Sequence, residues 1–128
     1  MGQQQLLLIV LGVIIVGIAI VVGINLFNAH SVSANRDAVA SDLNNLGALA
    51  RQYYNKPHAM GGGSNSFTGW DITSTGLSST ANGSYTATVT DQLVSISGTG
   101  IQVGNDGSTN IRETNYTTPV GDSVVVVN

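Results

Sequence analysis

The chain has 128 residues, no cysteine, 4 Lys+Arg against 7 Asp+Glu, and charge on only 9% of its residues. The absence of cysteine excludes disulfides, thiolate metal sites and thiol nucleophiles. The mildly acidic balance argues against a nucleic-acid partner, because phosphate binding needs clustered Lys and Arg.

The first predicted element is an apolar helix. Residues 6–24 contain only Leu, Ile, Val, Ala and Gly, and at about 1.5 Å per residue such a helix crosses a bilayer core of about 30 Å. A removable export signal is disfavoured, because the run is too long and no Lys or Arg precedes it. Gly12, Gly17 and Gly23 lack the spacing of a GxxxG dimer motif, and we interpret them as packing or bending points.

The helix is predicted to continue past the apolar run with a change of character. Its apolar residues then recur at helical spacing and form one face, made of Val32, Val39, Leu43, Leu46, Ala50 and Tyr53. Arg36 and Asp42 are expected to lie off that face. No helix-breaking residue occurs before Pro57, so residues 3–55 are predicted to form one helix.

The remaining residues are predicted to form loops and a small antiparallel sheet. Gly61 to Gly63 are expected to act as a flexible hinge, and Phe67, Trp70 and Ile72 are expected to enter the core. The alternation in "SYTATVT" predicts a half-buried strand, and "LVSISG" is its hairpin partner. "NIRETNYTT" and "DSVVVVN" complete a sheet of four or five strands, and Asn105-Asp106-Gly107 is a strong turn signal.

The predicted fold class is α+β, with a long N-terminal helix packed on a small antiparallel β-sheet. We divide the chain into an apolar helix (1–28), an amphipathic helix that continues it (29–57) and a sheet domain (58–128). A Ser-, Thr- and Gly-rich sheet of about seventy residues is marginal by itself. The amphipathic helix is therefore expected to supply much of its core.

No catalytic, cofactor-binding or metal-binding constellation is indicated, so we do not predict an enzyme. His30 and His58 have no further ligands at suitable spacing, and a metal site needs at least three. "GNDGST" lacks the alternating carboxylates of a calcium loop. Asn82 and Asn115 begin sequons and are candidate glycosylation sites, although chance matches are expected in a chain so rich in Asn, Ser and Thr.

The order of an apolar helix, an amphipathic helix and a small sheet resembles the type IV pilin family. The motif-level similarity rests on "QLLLIVLGVIIVGIAIVVGINLF". The resemblance implies an exported subunit, held in the inner membrane before the pilus assembly machinery adds it to a filament of identical copies. It also implies a leader cut by a prepilin peptidase and a methylated new N-terminus, with Gly2 and Gln3 flanking the candidate cleavage point.

The sequence departs from the family pattern at several positions. The family carries a glutamate before its paired leucines, where this chain has Gln5, so only a neutral hydrogen bond to a neighbour's terminal amine is available. The basic residue before the leader glycine, the proline within the apolar run and the disulfide loop of the family are also absent.

We therefore expect a structural subunit of an extracellular type IV pilus-like filament on the cell surface, serving adhesion or surface contact. Alternatives are a single-pass membrane protein or minor pilin-like component of a secretion or uptake system, an anchored enzyme or binding module, and a filamentous virus coat protein. The residues expected to pack in the filament core are Gln5, Leu7, Leu11, Gly12, Ile15, Gly17, Ala19 and Gly23.

Overall fold

The computed structural model describes residues 2–128 as one long helix followed by one sheet. The elements are α1 (Gly2–Asn55), two 3-10 turns (His58–Met60 and Ile72–Thr75), β1 (Ser79–Thr80), β2 (Gly83–Val89), β3 (Val94–Val103), β4 (Asn110–Thr118) and β5 (Gly121–Val126). The strands form one antiparallel sheet in the order β1-β2-β3-β4-β5. The predicted α+β fold is confirmed. The chain divides into an N-terminal unit ending at Ser31 and a C-terminal unit from Val32 to Asn128.

The core of the C-terminal unit lies between α1 and the sheet. The predicted helix face is confirmed, since Val39, Leu43, Leu46 and Ala50 are fully buried. These side chains share one cluster with Phe67, Trp70, Ile72, Tyr85, Val94 and Ile96. Burial of apolar area against this helix face is thus the main force that holds the sheet in place.

The registers of β2 and β3 explain which of their side chains face the helix. Tyr85 pairs with Gly98 and Ala87 pairs with Ile96, and directly paired residues point to the same face. The predicted alternation in this hairpin is therefore confirmed. The structure adds the short strand β1 in a predicted loop and extends β3 to Val103.

The end of β3 is irregular and is held by a helix residue. Its register with β4 shifts between Thr99 and Val103, which frees backbone donors of the bulged segment. Asn35 Oδ1 accepts hydrogen bonds from the backbone N–H groups of Ile101 (3.0 Å) and Gln102 (3.2 Å). Asn35 is 7% exposed and thereby stabilises this end of the sheet.

The glycine run after α1 is a close-packed turn, and our prediction of a flexible hinge there is wrong. Gly62 and Gly63 are buried, and their N–H groups donate to Pro57 O (3.0 Å) and Tyr53 O (2.8 Å). A Cβ at Gly62 would lie 2.2 Å from Lys56 O. Glycine is required here because the backbone approaches itself too closely for a side chain.

Candidate assembly surface

The N-terminal unit presents apolar side chains on every side of its helix. Each large apolar residue from Leu6 to Phe27 is between 50% and 71% exposed. A continuous apolar surface of this extent is unstable in water and requires a covering of lipid or protein. The helix is long and apolar enough to span a membrane. We call residues 2–31 the assembly surface.

The glycines of the assembly surface leave gaps in its side-chain layer. No atom lies within 4 Å of a Cβ built on Gly12, Gly17 or Gly23. Gly12 and Gly23 are eleven residues apart and share one side of the helix, whereas Gly17 lies on the opposite side. A neighbouring helix therefore has room for close approach on two sides.

The other residues that the sequence predicted for this surface are all exposed. Because they lie on one helix, those far apart in the sequence do not contact one another. They are Gly2, Gln3, Gln5, Leu7, Leu11, Ile15 and Ala19. Gln5 carries no charge, and the first charge in the chain is Arg36. Covering this helix with lipid or protein therefore requires no ion to be buried.

Asp42 is a second polar connection, besides Asn35, between α1 and the sheet region. Its Oδ2 accepts hydrogen bonds from Tyr85 (2.6 Å), Thr80 (3.0 Å) and Asn82 (3.1 Å). Burial raises the pKa of Asp42, but these three hydrogen bonds outweigh burial and lower the pKa below its usual value. Asp42 is half-buried and lies outside the apolar core cluster, but these bonds connect it to the sheet side of the unit.

Glu113 is an ionisable group buried on the inner face of β4. It is 1% exposed, and its Oε2 has no hydrogen-bond partner within residues 2–128. Burial raises the pKa of the Glu113 carboxyl, Arg36 partly opposes this effect, and Asp37 adds to it. The inner face of β4 is mostly polar, because Asn115 and Thr117 follow Glu113 in alternation.

Neither sequon presents a fully exposed Asn side chain in the folded unit. Asn115 is fully buried, so a glycan there is incompatible with this fold. Asn82 is half-buried and its Nδ2 donates to Asp42. Within the described part of the chain, no three His, Asp or Glu side chains come together as metal ligands.

Sequence reasoning missed Asn35, Asp42 and Glu113. The available signals were helical spacing, which puts Asn35 and Asp42 beside Val39, and strand alternation, which puts Glu113 on the face of Ile111. These signals locate a polar residue at a packed face but do not identify its partner.

Comparison with protein families, with curated proteins and with solved structures finds no match to this chain. The resemblance to pilins therefore stays a prediction. Among the described residues, the feature that bears on function is the continuous exposed apolar surface of the helix.

Proposed function

We propose that this protein is the structural subunit of an extracellular type IV pilus-like filament, which polymerises through its N-terminal helix. The observation that carries the proposal is the assembly surface, where large apolar side chains are at least half exposed on every side. Lipid covers this surface before assembly, and copies of the same helix cover it afterwards. A filament follows when unlike surfaces of neighbouring copies meet without closing a ring.

The folded C-terminal unit supports this proposal. It has its own core under the sheet and does not depend on the apolar helix for burial of its apolar residues. Such a unit stays folded while the N-terminal helix exchanges lipid for protein contacts. The resemblance further suggests removal of a leader between Gly2 and Gln3, which N-terminal sequencing of purified filaments tests.

Charge introduced into the assembly surface tests the bundled core. Leu11→Arg and Ile15→Asp are each expected to reduce filament yield at least ~10-fold, because a charge in an apolar environment costs about 2.5–3.5 kcal/mol. The measurement is electron microscopy of sheared cell-surface filaments together with mass spectrometry. Ile101→Asp is the matched control, because Ile101 is 60% exposed, close to the 58% of Ile15, but belongs to the C-terminal unit.

The second candidate is a single-pass membrane protein or a minor pilin-like component of a secretion or uptake system. The same helix favours it, since length and composition suit a membrane span. Recovery of the protein only from membranes, with none in sheared filaments, supports this second candidate and overturns the first. Normal filament yield from both charged variants contradicts the bundled core.

A further inference from the structure

An open cavity of about 330 Å³ lies at the end of α1. The residues that line it come from the last turns of the helix and from the loop that follows, and they are Leu49, Gln52, Tyr53, Lys56, Gly61, Trp70, Ser74 and Thr75. We call it the α1-end cavity. It contains no residue of the assembly surface and none of the groups around Asp42 or Glu113.

Trp70 supplies this cavity with a hydrogen-bond donor in a fixed position. Its side chain is 7% exposed and belongs to the core. The indole N–H has no hydrogen-bond partner within residues 2–128, yet it is not among their buried unpartnered polar atoms. The N–H therefore has some contact with solvent, and Trp70 is one of the residues that line the cavity. A donor held by the core loses little entropy when it binds a ligand.

Two further polar side chains at the cavity are free to bind a ligand. Lys56 and Gln52 are exposed, and neither forms a hydrogen bond or ion pair with another described side chain. The Tyr53 hydroxyl donates to Thr68 O at 3.0 Å and keeps its oxygen available as an acceptor. The lining thus combines one positive charge with neutral donors and acceptors around an aromatic wall.

We propose that the α1-end cavity binds a single acidic sugar ring, a hexuronate. The carboxylate pairs with Lys56, and the ring hydroxyls bond to Gln52 and to the Trp70 N–H. The apolar C–H groups of the ring pack on Leu49 and Tyr53. A cavity of this size is at the small end of ligand pockets, which span about 300–1,000 Å³.

A second open cavity differs from the α1-end cavity in the charges of its lining residues, which decide whether an anion is favoured. It has a volume of about 460 Å³ and is lined by Arg112, but Asp106 also lines it and no aromatic residue does. The carboxylate of Asp106 offsets the guanidinium charge, so this cavity does not favour an anion. The α1-end cavity has Lys56 as its one charged lining residue.

This inference rests on the proposed function and goes beyond filament assembly. It names the chemical class of ligand through which the filament contacts a surface. Full-length protein in detergent micelles is titrated with sodium glucuronate at constant ionic strength, and the fluorescence of Trp70, the one tryptophan in the chain, is recorded. We expect saturable binding with a Kd of about 1–10 mM, and at least ~10-fold weaker binding of glucose and of acetate. Absence of saturation with glucuronate, or equal affinity for acetate, overturns the proposal.

Matched charge variants separate the two cavities. Lys56→Gln is expected to weaken glucuronate binding about 10-fold, to the affinity of glucose, whereas Arg112→Gln leaves it unchanged. Unchanged binding in Lys56→Gln, or the same loss in Arg112→Gln, contradicts the assignment.

Neither change touches the assembly surface, so loss of sugar binding with normal filaments overturns this inference alone. Intact sugar binding without filaments overturns the proposed function alone.

Discussion

At the residue scale, Asp42 and Glu113 give the C-terminal unit opposite responses to pH. The folded unit lowers the pKa of Asp42 below 3.8 and raises that of Glu113 above 4.5. Asp42 therefore contributes stability above pH 3.8, which is lost as the pH falls through its folded pKa. Glu113 contributes stability below pH 4.5, which is lost as the pH rises through its folded pKa.

Tyr85→Phe is expected to lower the free energy of unfolding at pH 7 by about 2 kcal/mol, because it removes a hydrogen bond to a charged acceptor. The cost shrinks as the pH falls through the folded-state pKa of Asp42, which lies below 3.8, and the carboxyl becomes protonated. Urea unfolding of the full chain in micelles, followed by Trp70 fluorescence, measures both effects. A cost that stays constant from pH 7 down to the pH at which the protein unfolds in acid would show that the ionised Asp42 carboxylate is not the acceptor that matters.

Glu113→Gln is expected to stabilise the protein at pH 7 by about 1 kcal/mol, because the neutral amide is cheaper to bury than an unpartnered carboxylate. The difference between variant and parent shrinks as the pH falls below 4.5, because Glu113 then becomes protonated in the unfolded state as well as in the folded state. The same unfolding assay at pH 4 and pH 7 provides the test and its internal control. Destabilisation by Glu113→Gln at pH 7 would indicate that Arg36 more than compensates for burial.

At the element scale, the glycines of α1 lie in two environments, either packed against the sheet or facing open space. A Cβ on Gly47 would lie 2.7 Å from Thr117 Oγ1 and 2.9 Å from Asp122 Oδ2. Asp122 also forms the ion pair with Arg51 at 3.6 Å. Gly47 thus lies where the helix closely approaches β4 and β5, whereas a Cβ built on Gly17 has no neighbour within 4 Å.

Gly47→Ala is expected to lower the free energy of unfolding by about 1–3 kcal/mol, because overpacking pushes β4 and β5 away from the helix. Gly17→Ala is the matched control on the same helix and is expected to leave the urea midpoint of the C-terminal unit unchanged. Thermal and urea unfolding of both variants in micelles gives the comparison. Equal stability of the two variants would mean that the side chains at Gly47 move aside without cost.

At the scale of the whole molecule, the exposed apolar surface and the apolar core belong to different units. The apolar core belongs to the C-terminal unit, and none of residues 2–31 is buried. The assembly surface therefore contributes nothing to that core.

A chain that starts at Val32 is expected to fold, to stay in solution without detergent and to sediment as a monomer, because it lacks the assembly surface but keeps its core. Circular dichroism and analytical ultracentrifugation are the measurements. The full chain in the same buffer without detergent is the control and is expected to pellet. Filaments formed by the shortened chain would mean that polymerisation does not need the apolar helix.

The sequence by itself determined the order of α1 and the longer strands β2 to β5, and the apolar and amphipathic halves of α1. It also determined the side of each hairpin strand that is buried. These features depend on periodicity, and period 3.6 or 2 is a local property of the chain. Val39, Leu43 and Ile96 could therefore be assigned to the core without a structure.

Only the tertiary structure decided where polar groups find their partners. Asn35 with the β3 bulge, Asp42 with Tyr85, and the unpartnered Glu113 each depend on contacts between residues far apart in the chain. The glycine turn after α1 is likewise set by approach of the backbone to Lys56 O. A local pattern states that a side chain is buried, but its hydrogen bonds and pKa depend on what the fold places opposite it.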